Sequence, residues 1–171
     1  LPSYRNRSER LLTNAQLRSS WMEFLRVEAN HPAQAILDSL VWEPELGIMG
    51  GAGDDVDILI PSREATLPRV VLLEWAAKSV ARDVLEQETL RELSSQELLG
   101  VELPVSESEL PDLFTRWLNL MTSRSLSPDS EEVERTLALY NVLAADESDE
   151  QFDLLARVLE ALLQHPMGQV Y

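Results

Sequence analysis

The chain contains no cysteine. That absence removes disulfides, thiolate nucleophiles, Cys-ligated zinc, iron–sulfur clusters and c-type haem attachment together. It leaves the compartment open, because proteins without cysteine occur on both sides of a membrane. Imidazole is nearly as scarce: His31 and His165 are the only two, each directly before a proline. Basic residues are short as well, with 14 Lys and Arg against 30 Asp and Glu, a formal net charge of −16. Phosphate neutralisation needs clustered cations, so the balance argues against nucleic acid as a partner. The acidity reads first as solubility and second as steering towards a basic partner or cations. No apolar run approaches the roughly 18 residues of a membrane span, and no charged-then-apolar leader opens the chain. Leu1 stands where Met would, which leaves room for a leader or domain upstream.

What is present is enough for a packed core, since 44% of the residues are apolar and 26% charged. The expectation is a mainly α fold: residues 11–171 form one domain of about six helices around a central helix over 66–93, preceded by a flexible basic arm over 1–10 with Arg5, Arg7 and Arg10. In the central helix Val70, Leu73, Ala77, Val80 and Val84 recur at spacings of three and four and so share one stripe. Leu72, Trp75, Ala76 and Ala81 fill its flanks, leaving a thin polar edge of Glu74, Lys78, Arg82 and Asp83. Such a helix must be covered on more than one side.

The flanking helices carry their own start and stop signals. Thr13 and Gln16 make a capping box for a first helix with Leu17, Trp21, Phe24 and Leu25 inside, ending near Asn30 and His31 because Pro32 disfavours helix just before it. Pro32 opens a second helix with Ile36, Leu37, Leu40 and Val41 inside. After the central helix, Ser94 and Glu97 suggest a capped short turn that Gly100 stops. Leu110, Leu113, Phe114, Trp117, Leu118 and Met121 form an amphipathic stripe. Ser127 and Pro128 are expected as cap and first residue of a helix with Val133, Leu137, Tyr140 and Ala144 inside. Ser148 and Gln151 form a further capping box for a last helix with Phe152, Leu155, Leu159, Leu162 and Leu163. The one strand-like run is 56–60, ended by Pro61, and one strand needs a partner.

The most chemical-looking stretch precedes that strand. In Gly50-Gly51-Ala52-Gly53-Asp54-Asp55-Val56-Asp57, glycines permit a tight backbone while Asp54, Asp55 and Asp57 gather carboxylates, which is how a calcium loop is made. The spacing fails the EF-hand pattern, and Asp57 stands where a glycine-aspartate nonapeptide repeat needs an apolar residue. A solvated turn is therefore preferred, with calcium as the alternative and no other cofactor expected. A nucleotidyltransferase would place more residues before the Asp pair and a sheet after it. The two histidines suit helix C-termini, which favour a partly positive imidazole. No Gly-x-Ser-x-Gly elbow occurs, and Trp21, Trp42, Trp75 and Trp117 read as core.

Ser125-Leu126-Ser127-Pro128, then residues 131–140, an acidic loop and residues 159–166, resemble a helical-hairpin segment of large exported planctomycete and myxobacterial proteins of unknown function, often fused to cytochrome c modules. The likeness spans residues 124–166. Residues 167–171 replace the aromatic-Tyr-Arg ending of that segment, and no haem motif is present. The resemblance brings no catalytic residue; it implies a bacterial helical module, of a kind found in exported proteins, that packs against other parts or partners. The expected function is thus a non-enzymatic protein–protein interaction module or accessory subunit, with Ile58 and Ile60 offering an edge that a partner strand completes. A homo-oligomer is compatible with this. The alternatives are a calcium- or metal-responsive protein using Asp54, Asp55 and Asp57, and an acidic mimic of nucleic acid.

Overall fold

The computed structural model describes residues 14–28, 30–42, 67–122, 124–145 and 150–164. Among them lie six α-helices: α1 (Asn14–Phe24), α2 (Pro32–Trp42), α3 (Leu67–Thr89), α4 (Leu110–Thr122), α5 (Glu131–Ala144) and α6 (Gln151–Gln164). The mainly α expectation holds. The expected strand over 56–60 and the arm over 1–10 lie outside the described residues.

Helix α1 buries Leu17, Trp21 and Phe24 as its spacing demands, and Leu25 just beyond it is buried too, but the helix ends at Phe24, well before Asn30. The reason is a C-terminal cap without a glycine. Arg26 takes a left-handed φ of 53°, its N–H reaches Glu23 O at 3.4 Å, and the Val27 N–H reaches Met22 O at 3.0 Å. These paired bonds close the helix and drop Val27 into the core. Helix α2 does start at Pro32. Arg18 ties it to α1 through Asp38, donating from Nε at 2.7 Å.

Helix α3 is central: it packs on α2 and on α6, while α1 lies on α2, α5 on α6, and α4 on α5. Leu72, Leu73, Ala76, Ala77, Val80, Ala81, Val84 and Leu85 are buried, pairs repeating about every four residues, which gives a stripe wide enough for two neighbours. The alanines hold both neighbours close. The helix stops at Thr89 rather than near residue 93, tightening through bonds from Leu90 to Gln87 and Arg91 to Glu88. Its first turns also correct the sequence reading. Val70 is 46% exposed, Val71 57% and Trp75 48%, so the solvent face is broad rather than a thin edge.

Residues 90–109 form an irregular segment whose backbone is satisfied by side chains. Leu93–Ser95 is a single 3-10 turn preceded by Glu92, and no side chain caps it, so the Ser94 capping box does not form. Glu88, only 4% exposed, accepts the Leu98 N–H at 2.8 Å and the Leu99 N–H at 3.3 Å. Trp117 Nε1 donates to Leu98 O at 3.1 Å and Arg116 Nη1 to Leu99 O at 2.9 Å. Gly100 has a φ of 61°, and a Cβ there would sit 1.8 Å from Arg116 Nη1. Glycine at this position therefore admits the guanidinium; it does not stop a helix.

Helix α4 buries the expected Leu110, Leu113, Phe114, Trp117 and Leu118, and Phe114 contacts Trp117 and Tyr140 with centroids 5.6 and 5.9 Å apart. A tight turn leads into it: the Ser106 N–H and Oγ both donate to the Glu109 carboxylate, and the Glu109 N–H returns to Ser106 O at 3.0 Å. Helix α5 starts after Ser130, since Ser127 and Pro128 close a turn in which the Ser130 N–H reaches Ser127 O at 3.0 Å. Proline fits the second position of such a turn as well as it fits a first helical turn. Glu131, Glu132 and Glu134 then occupy the first turn, where the helix dipole favours them. Buried residues from all six helices form one continuous core.

Candidate interaction surface

Asp54, Asp55, Asp57, Ile58, Ile60, His165 and the side chain of Trp42 lie outside what the structure describes. Among the described residues no three His, Cys, Asp or Glu side chains are grouped to hold a metal ion, and no helix is long and apolar enough to cross a membrane. The features that remain are surface ones.

The first is the exposed apolar face of α3. Val71 and Trp75 stand one helical turn apart, with Val70 beside them. Trp21 and Trp117 are 2% and 0% exposed, so Trp75 is the described tryptophan that departs from the core reading. Its position in an apolar stripe gave no signal of this, because periodicity reports which face a residue occupies and not whether another helix reaches it.

Further along the same helix, Lys78 and Arg82 line an open cleft of about 470 Å³ with Asp153, Ala156, Arg157 and Glu160 of α6. Arg82 pairs with Asp153 at 3.2 Å and lies 6.0 Å from the centroid of the Phe152 ring. Cations and carboxylates are interleaved here, so the cleft carries little net charge. A second, smaller groove of about 280 Å³ lies where α4, α5 and α6 meet.

His31 is not at a helix C-terminus. It precedes α2, and its Nδ1 accepts the Ala33 N–H at 3.1 Å, capping that helix through a neutral ring. Partial burial, and then Arg91, hold its pKa below the ordinary 6.5, against the opposite pull of Asp83, Glu88 and Glu28. Burial also pushes the Asp83 carboxyl up, helped by Glu86 and opposed by His31. On the surface, the Ser106 hydroxyl and then its N–H hold Glu109 below the usual carboxylate range.

Gln151 is expected as half of a capping box with Ser148, which lies outside the described residues; its described bonds run elsewhere. Its Oε1 accepts the Val105 N–H at 2.6 Å, and its Nε2 donates to Val105 O at 2.8 Å and to Tyr140 Oη at 3.3 Å. Nothing in these arrangements sets a nucleophile beside a base. The fold places the chain among mainly α proteins. Against protein-family models, curated proteins and solved structures, it has no match.

Proposed function

We propose that this chain is a non-enzymatic interaction module, an acidic subunit or accessory protein that binds another protein. The observation that carries the reading is the exposed Val70, Val71 and Trp75 on the central helix. Fully burying an exposed large apolar side chain recovers about 1.5–3 kcal/mol, of which these half-exposed residues have roughly half still to gain, and tryptophan is among the residues most enriched at the energetic centres of interfaces. The face belongs to the helix with most of its length locked in the core, so it is presented rigidly, which lowers the entropy cost of docking. Ile58 and Ile60 remain the sequence's own candidates for a second contact with that partner. The test is affinity capture from an extract of the source organism with tagged chain, compared with Trp75→Ser. One protein retained at near-equal stoichiometry by the native chain and lost with the variant supports the reading. A chain that behaves as an inert monomer by light scattering and captures nothing overturns it.

A further inference from the structure

We infer that the groove between α4, α5 and α6 is a docking site for a cationic segment of a partner protein that carries one large apolar anchor. The groove is floored by Leu118 and Leu162, which are nearly buried, and walled by the half-buried Met121, Leu139 and Ala161. Its volume of about 280 Å³ falls just short of the roughly 300–1,000 Å³ of small-molecule and cofactor sites. It suits a single inserted side chain.

The rim decides the chemistry of the occupant. Glu131 and Glu132 open the groove at the first turn of α5, and Arg135 stands beside them. Arg135 pairs with Glu131 at 2.5 Å with both side chains more than two-thirds exposed, and Arg124 comes no closer than 4.0 Å to Glu132. Exposed pairs of this kind contribute about 0–1 kcal/mol, so an incoming Lys or Arg replaces them at little cost. The whole chain carries −16, a field that speeds the approach of a cationic segment and repels a second copy of the chain. The lining sets two carboxylates against one guanidinium, a net −1, on a body of −16, so this apolar pocket fits an anchor residue flanked by Lys or Arg.

This inference rests on reading the chain as a protein-binding module, but Trp75 does not line the groove, so the two are separable. The experiment selects random peptides displayed on phage against the intact chain, then titrates the synthesised winners against the native chain, Ala161→Trp, which fills the groove, and Trp75→Ser. The expected winners carry Lys or Arg around one apolar residue, and Ala161→Trp weakens them at least tenfold with an unchanged helical far-UV spectrum. Methyl resonances of Leu118 and Leu139 in the native protein, shifting on titration, provide the same readout should Ala161→Trp fail to fold. The inference is overturned by absence of enrichment, by neutral or acidic winners, or by binding that ignores Ala161→Trp and leaves those methyls unmoved. Winners lost with Trp75→Ser but indifferent to the groove would overturn this inference and leave the module reading standing.

Discussion

Two single residues show how a side chain's role differs from what its type suggests. His31 caps α2 by accepting the Ala33 N–H, a bond that needs an unprotonated Nδ1. Its folded pKa lies below 6.5, so the unfolded chain takes up protons first as pH falls, and stability is lost from about pH 6.5 downward until the folded pKa is passed. Asp83, with its pKa raised above 3.8, contributes with the opposite sign, which is why the comparison must be with a variant. Asn caps and does not titrate. In urea unfolding, His31→Asn is expected to be flatter than the native chain as pH is lowered through 6.5; parallel curves would remove the imidazole from the account. Ser130 is the second case. It sits at the N-cap of α5 without a side-chain cap bond, and its Oγ is buried with no partner. A working N-cap serine loses about 1 kcal/mol on replacement by Ala. Here a buried unsatisfied hydroxyl is removed instead, so Ser130→Ala is expected to leave stability unchanged or raised.

At the scale of elements, the helices were legible and their ends were not. The stripe of α4 is legible at Leu110, Leu113, Phe114, Trp117 and Leu118, which sit at strict helical spacing; Met121, expected with them, is half-buried, and Thr115 is buried without an apolar signal. The end of α1 was not, because Arg26 supplies a left-handed cap that sequence rules assign to glycine. Ser-x-x-Glu patterns are ambiguous for a similar reason: Ser106 and Glu109 close a turn just before α4, while Ser94 and Glu97 form no cap. Whether the pattern caps depends on where tertiary contacts hold the backbone. Gln151 shows the competing demand, since its amide satisfies both polar groups of Val105, 46 residues away in sequence. Gln151→Ala is expected to cost about 1–3 kcal/mol by leaving that buried pair unmatched. Hydrogen exchange should place the loss at the Val105 amide, with the Leu98 and Leu99 amides, held by Glu88, still protected. Uniform loosening of all three would show that 90–109 is one cooperative unit instead.

At the scale of the molecule, the apolar budget of the central helix exceeds what its neighbours cover. Helices α2 and α6 account for the paired stripe from Leu72 to Leu85, and the start of the helix is left with Val70, Val71 and Trp75 in solvent. The candidate surface was hidden in the sequence for that reason. A stripe can be read from spacing, whereas the length over which neighbours cover it depends on how helices distant in sequence pack. Asp54, Asp55, Asp57, Ile58 and Ile60, which carry the chemical interest of the sequence, lie outside the described residues, so the proposed function rests on the surface of α3. The proposed function requires that a partner protein cover Trp75. The most direct measurement is hydroxyl-radical footprinting of the native chain, alone and in complex with the protein it captures, read tryptophan by tryptophan. Trp75 should oxidise readily in the free chain and be protected in the complex, with Trp21 and Trp117 protected in both. Equal oxidation of Trp75 in the free and complexed chain would contradict the claim.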